Sequence, residues 1–333
     1  MAPWWTCREL SPQKKSNRHL KLCALDAQDS ESRASRRMSR TIVHTAAIVC
    51  LSGTIFCLSA IAGQQNPRPP SWPFFAFDNG VGRDQEWSPD RQAATLARLG
   101  YSGIGYTDVK DVENRLTACE SRSIRIVSFY EPFRIDSEEP VSTKTLQRLP
   151  LVSKAGAVLW IHLHGEASEE KAVLKLQELA DLAAEHDVRV AIYPHVGNYV
   201  ETASHALKLA EQVDRSNFGM SINVCHELRA GNADELPRLV RESIDHLFLV
   251  SINGADRVEN AQQEHGWSRL IRPLGEGDFD LRPMLIELRR CGYEGPIGLQ
   301  CYRVNGEPEV ILENAMTAWR EILSSLPAEE QQS

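Results

Sequence analysis

Residues 157–194 read "AVLWIHLHGEASEEKAVLKLQELADLAAEHDVRVAIYP", two short apolar runs separated by one long amphipathic stretch. The runs at 157–163 and 188–194 are rich in β-branched and aromatic residues and read as strands. Between them Val173, Leu174, Leu176, Leu179, Leu182 and Ala183 recur at helical spacing and line one face of a helix. A strand, a helix and a second strand make a βαβ unit with parallel strands.

The unit repeats along the chain. Further apolar runs lie near 74–78, 102–107, 124–130, 217–223, 246–252 and 296–301, which brings the strands to eight. Helical stretches mostly separate them, as in "SPDRQAATLARLG", with Ser88 as N-cap and Pro89 at the first helical position. Eight such alternations over about 250 residues predict an α/β fold, a single (β/α)8 barrel spanning 74–325. A doubly wound open sheet is the alternative, but no glycine-rich nucleotide turn accompanies any strand.

The N-terminal region has a different character. Residues 1–37 carry no helical or strand period and read as a non-native or disordered extension ahead of Met38. Residues 38–62 have Arg40, an apolar stretch from Thr45 to Leu58, and Ala60-Ile61-Ala62, the layout of a signal peptide. A membrane anchor is the competing reading, yet the stretch is short and contains Ser and Thr. Export to the periplasm or the extracellular space is therefore expected, with no stable membrane insertion after cleavage. Residues 63–73 form a proline-rich lead-in and 326–333 a disordered tail.

Charge and cysteine usage exclude some partners. Nine Lys/Arg and four Asp/Glu precede residue 63, so the rest of the chain holds 28 against 41, a net charge of −13. A surface this acidic is a poor partner for nucleic acid or anionic lipid. Beyond residue 63 only Cys119, Cys225, Cys291 and Cys301 remain, at spacings of neither a zinc ribbon nor a C-x-x-C pair.

Barrels of this class build their sites at the C-terminal ends of the strands. The residues there are Asp78 and Asn79, Asp108, Glu131, His162 with His164, Tyr193 and His195, Asn223 with His226, Ser251, Asn253 and Asp256, and Gln300 with Tyr302. Closure brings them into one polar ring.

"VRVAIYPHVGNYVETASHALKLAEQV", "FGMSINVCHELRAGN", "LFLVSINGAD" and "IRPLGEGDFDLRPMLIELRRCGYEGPIGLQCY" together resemble the sugar phosphate isomerase/epimerase family, the xylose isomerase-like barrels. The resemblance implies a small carbohydrate as partner and a divalent cation, Mn²⁺ or Mg²⁺, held by a glutamate after strand five, an aspartate after strand six, a histidine near strand seven and a glutamate on strand eight. Those positions fall on Tyr193 or Pro194, Asn223, Ser251 or Asn253, and Gln300. His226 keeps the family's histidine three residues beyond the strand-six position. Neutral groups thus replace three carboxylates, and the cation site is expected to be weak, absent or relocated.

The resemblance makes an isomerase or epimerase of a free sugar or sugar derivative the leading expectation, acting by proton transfer next to a carbonyl. A sugar-acting lyase or hydrolase and a non-catalytic carbohydrate-binding protein are the alternatives. Candidate catalytic groups are His195, His226, Glu131 and Glu201. Asn223, Asn253, Gln300, Tyr302, Trp267 and Tyr193 are candidates for holding sugar hydroxyls or stacking on a sugar face, with Trp160 and Phe129 as stacking candidates better suited to core packing. His162 and His164, two apart on one strand face, are candidate ligands for a softer metal such as Zn²⁺.

Overall fold

Eight strands form where the apolar runs predict them. The computed structural model describes residues 72–139, 141–257 and 266–327. The strands are β1 (Phe74–Phe77), β2 (Gly103–Tyr106), β3 (Arg125–Arg134), β4 (Val158–His164), β5 (Arg189–Ile192), β6 (Phe218–Asn223), β7 (Leu247–Ile252) and β8 (Ile297–Leu299). They pair in sequence order, all parallel, and β8 returns to β1 through Phe74 and Ile297 to close the barrel.

Helices α1 (Pro89–Leu99), α2 (Val112–Glu120), α3 (Thr143–Lys154), α4 (Glu169–Ala184) and α5 (Ala203–Val213) follow the first five strands. After β6 come α6 (Val224–Ala230) and α7 (Leu236–Ser243), after β7 come α8 (Trp267–Leu270) and α9 (Arg282–Arg290), and α10 (Pro308–Ser325) ends the fold. Local chemistry sets the helix starts: Ser88 Oγ accepts from Arg91 N at 3.3 Å with Pro89 at the first position of α1, and Ser168 caps α4 in the same way. The apolar face of α4 differs from the predicted one. Ala172, Leu176, Leu179, Ala180 and Ala183 are buried, whereas Leu174 is 60% exposed, because it stands roughly 200° around the helix from Leu176.

Two apolar layers result. One lies between strands and helices; the other fills the barrel with Phe75, Phe77, Val127, Val158, Trp160 and Leu249. The Phe75 ring lies inside the barrel against β2 and β8, where a Cβ at Gly105 or Gly298 would stand 2.9 or 2.4 Å from it. Neighbouring strands therefore yield that space by carrying glycine. β3 runs on to Arg134, so Glu131 lies within the strand rather than at its end. No helix among the described residues is long and apolar enough to cross a membrane. The expected extension at 1–37, the signal-like segment at 38–62, residues 63–71 of the lead-in and residues 328–333 of the tail lie outside the described residues.

Candidate functional site

Alternation along the strands decides which side chains reach the barrel interior. Ala191 and Tyr193 of the β5 segment pack inside with Trp160, and Ser221, Asn223 and Ser251 meet there from β6 and β7. Asn223 is wholly buried. Its Nδ2 donates to Pro194 O at 3.0 Å, and its Oδ1 accepts from Ser251 Oγ at 3.0 Å with Ser221 Oγ at 3.3 Å. Ser221 also accepts from Trp160 Nε1 at 2.9 Å and lies 3.0 Å from Ile192 O. The Asn223 amide thus joins β6 and β7 to the segment that follows β5, and its polar atoms are engaged within the protein.

A cluster of imidazoles and aromatic rings covers this floor. His195 follows β5 and His226 lies in the first turn of α6, with ring centroids 4.2 Å apart. His195 Nδ1 lies 2.8 Å from Val196 O, and His226 Nδ1 accepts from Val196 N at 3.2 Å. Trp267, at the start of α8, meets the His226 ring edge-on at 5.0 Å. On β4, His162 stacks on Tyr130 at 4.2 Å and hydrogen-bonds His164, while Asn198 Nδ2 approaches His162 Nδ1 at 3.3 Å. Burial disfavours the charged form of all four imidazoles: His162 is pulled down to about 3, His226 falls well below the ordinary histidine range, and His164 and His195 are lowered. Burial thus favours the neutral form throughout the cluster.

The other predicted residues divide. Gln300 is buried, and its Oε1 accepts from Asn79 Nδ2 at 2.8 Å and from Tyr302 N at 2.9 Å; Tyr302 itself is exposed. Asn253 Nδ2 donates to Gly254 O and Leu270 O, both at 2.7 Å, leaving its buried Oδ1 without a partner. Tyr193 is buried among the inner aromatic rings. Glu201 Oε1 accepts from Gly197 N at 2.8 Å and so braces the loop that carries His195. Glu131 is corrected as a member of the ring: it pairs with Arg148 of α3 in the helix layer, while its neighbour Tyr130 faces the interior. Trp160 and Phe129 are fully buried core residues. Asp78 is buried and accepts from Thr107 N and Oγ1 at 3.2 and 2.9 Å, and burial raises its pKa.

Three contributors went unnoticed in the sequence. Tyr130 supports His162. Glu227, beside His226 and fully buried, accepts from Ala203 N at 2.6 Å and Asn232 Nδ2 at 2.8 Å, tying α6 to the start of α5; burial raises its pKa. A charged residue inside the first turn of "VCHEL" is its only sequence signal. Val196 acts through its backbone and leaves no sequence signal.

The family's cation does not fit these residues. The oxygen at Asn223 is taken by serine hydroxyls, that at Gln300 by Asn79 and the Tyr302 amide, and none of the four positions supplies an anionic oxygen. A hard dication would exchange water for neutral oxygens already in use. Among the described residues no group of three or more His, Cys, Asp or Glu side chains converges as a metal site, and His162 and His164 hydrogen-bond each other.

A closed eight-stranded parallel barrel with its polar groups gathered at the strand ends defines a (β/α)8 barrel protein. Residues 146–326 match the xylose isomerase-like TIM barrel family, and the chain belongs to it. It is 29% identical over 163 residues to a 3-dehydroshikimate dehydratase of Pseudomonas aeruginosa, a match that covers 47% of this chain and 25% of that protein. The chain thus spans about a quarter of the length of that curated relative. Among solved structures it resembles the IOLI protein with a bound zinc atom (TM-score 0.62, 15% identity, covering 77% of this chain and all of that one). It also resembles a D-allulose 3-epimerase from Methylomonas sp. in complex with D-allulose (TM-score 0.59, 16% identity, 76% and 98% covered). Identities this low speak to the fold.

Proposed function

We propose that the barrel mouth binds a free sugar or a related hydroxylated carbonyl compound and moves a proton on the carbon beside the carbonyl, as an isomerase or epimerase without the family's carboxylate-held cation. The observation that carries this reading is the pair His195 and His226, 4.2 Å apart beside Trp267 at the strand ends. Neutral imidazole accepts a proton from carbon and donates a hydrogen bond to oxygen, the two tasks that enolisation requires. The side chain of Trp267 adds an aromatic ring beside the pair, and sugars stack on such rings. The likeness to a sugar epimerase supports the substrate class.

A lyase that expels water from such a compound begins with the same proton removal, and the relation to a 3-dehydroshikimate dehydratase favours it as the second reading. The test is to incubate the chain with aldoses, ketoses and cyclic hydroxyketones in deuterium oxide. We expect deuterium to enter at the carbon beside the carbonyl. The His195→Gln variant should slow this by about 10²–10⁴-fold. A new conjugated double bond, seen by ultraviolet absorption, marks the lyase. Absence of exchange throughout the panel refutes both readings.

A further inference from the structure

His195 and His226 are not equivalent, and the backbone of one residue makes them different. A backbone carbonyl only accepts hydrogen bonds and a backbone N–H only donates them. Val196 O lies 2.8 Å from Nδ1 of His195, so that nitrogen carries the hydrogen. Val196 N donates to Nδ1 of His226 at 3.2 Å, so that nitrogen carries the lone pair. A neutral imidazole has one N–H and one bare nitrogen. Nε2 of His195 is therefore bare, and Nε2 of His226 bears the hydrogen.

The loop that holds Val196 is braced on both sides. His195 N donates to Val200 O at 2.8 Å, Asn198 N donates to His195 O at 3.0 Å, and Glu201 accepts from Gly197 N at 2.8 Å. Gly197 has φ +91°, a left-handed conformation that lets the chain turn here without strain. At the far end of the loop, Glu227 binds the first amide of α5, and it is the residue directly after His226. The two imidazoles and the backbone between them are consequently held as one unit. The bonds to Val196 use Nδ1 on both rings and leave Nε2 out.

We infer that the Val196 backbone locks His195 and His226 in opposite tautomers and thereby divides the chemistry between them, with His195 as the base and His226 as the hydrogen-bond donor to the carbonyl oxygen. This division rests on the proton-transfer reading above. The C–H bond beside the carbonyl breaks, its proton passes to Nε2 of His195, and its electron pair moves onto the carbonyl oxygen. The N–H at Nε2 of His226 holds the resulting enolate and stays on its nitrogen. Return of a proton from His195 to the same carbon restores the carbonyl and both imidazoles and gives exchange; its delivery instead to the former carbonyl carbon, with the neighbouring hydroxyl proton passing to the first oxygen, gives the isomer. A neutral imidazole serves in this way as an electrophile in triosephosphate isomerase. Val196 and Glu201 are positioning residues; His195 and His226 are the groups that touch the reacting atoms.

The full chain labelled with ¹⁵N-histidine reports the tautomers directly through long-range ¹H–¹⁵N correlations, assigned with His195→Gln and His226→Gln. Nδ1 protonation at His195 and Nε2 protonation at His226 are expected. The same tautomer at both, or the reverse assignment, overturns the division of roles whether or not the protein turns over a sugar. Deuterium exchange supplies the second arm, because glutamine keeps an N–H donor but is no base. At position 195, Gln and Ala should be equally inactive; at position 226, Gln should exceed Ala by about 10-fold or more, within the range one preorganised donor contributes. Rescue by Gln at 195 overturns the proposal. Opposite tautomers with no exchange on any sugar refute the proton-transfer reading itself, and the roles fall with it.

Discussion

Changing Asn223 tests whether the neutral amide is a structural part of the barrel. In Asn223→Ala the carbonyl of Pro194 loses its donor and the hydroxyl of Ser251 loses its acceptor, both at a fully buried position. At about 1–3 kcal/mol for each buried group left unmet, the loss centres on about 4 kcal/mol, a large part of a domain's stability. Asn223→Asp behaves differently, because it keeps the acceptor for the serines and sets a second oxygen against Pro194 O, now 3.0 Å from the amide nitrogen. When protonated, the introduced carboxyl group can donate to that carbonyl, whereas its ionised form is repelled by it, so the folded-state pKa rises above about 3.9. Between the unfolded and folded pKa the folded chain binds the extra proton, and stability falls as pH rises through that window. With a rise of about 3 units, Asn223→Asp should lie near wild type at pH 4 and about 4 kcal/mol below it at pH 7. Urea unfolding of wild type and both variants at each pH measures this as a difference, which cancels the protein's own pH dependence. An Asn223→Ala protein within 0.5 kcal/mol of wild type (roughly the level of an unremarkable surface change), or an Asn223→Asp deficit that does not grow with pH, refutes the network.

The histidine cluster should weaken the wild-type protein in acid. His162, at about 3, and the lowered His164, His195 and His226 all bind protons more readily unfolded, so their contribution is lost as pH falls from about 6.5 toward 3, against the opposite contribution of Asp78 and Glu227, whose pKa values burial raises; a His162→Gln variant that loses as much melting temperature in acid as wild type contradicts the buried neutral cluster. Millimolar Mn²⁺ or Mg²⁺, or EDTA, should leave the melting temperature nearly unchanged, since a weakly bound ion stabilises little by mass action, and a stoichiometric ion whose removal drops it by many degrees shows that the ligand set has been misjudged. Glu131→Ala strands the partly buried Arg148 and should cost about 3–5 kcal/mol in urea unfolding; an equal loss in an Arg148→Met, Glu131→Leu double variant argues that packing, not the pair, is what matters there. For the region before the barrel, N-terminal sequencing of the protein from its own cell checks export: a mature chain starting near Gly63 is expected, and retention of Met1 or Met38 excludes it.

The barrel was legible because its signals are local. Strand length, helical period and a cap such as Ser88 lie within windows of a few residues, and the ends of the apolar runs located Asn223 at the end of β6, with His195 and Gln300 just beyond β5 and β8. Glu131 shows the limit: the apolar run ends near Tyr130 but the strand continues to Arg134, and alternation turns the carboxylate outward to α3. The partners of Asn223 were illegible for a different reason. Its meeting with Ser251 depends on the register between β6 and β7, which shifts at Met220 and Ser221 and is fixed only when the barrel closes. Leu174 illustrates the same point on a helix, where a stripe drawn from apolar residue types included one that the barrel leaves in water.

The neutral amides and the neutral imidazoles are parts of one arrangement. A carboxylate at position 223 would stand against the carbonyl of the residue before His195, and without a bound cation its negative charge would favour protonated imidazoles nearby. A protonated His195 has no lone pair to receive a proton from carbon. With Asn223, Ser251 and Gln300 in place, burial is the largest influence on His195 and His226, and it acts in one direction, toward the neutral form. Neutral groups at these positions offer a dication no anionic oxygen, and they leave two buried imidazoles in the neutral state that the proposed base and donor require. The amides of Asn223 and Gln300 are engaged by neighbouring groups of the barrel, and His195, proposed as the base, and His226, proposed as the donor, are both oriented by the Val196 backbone.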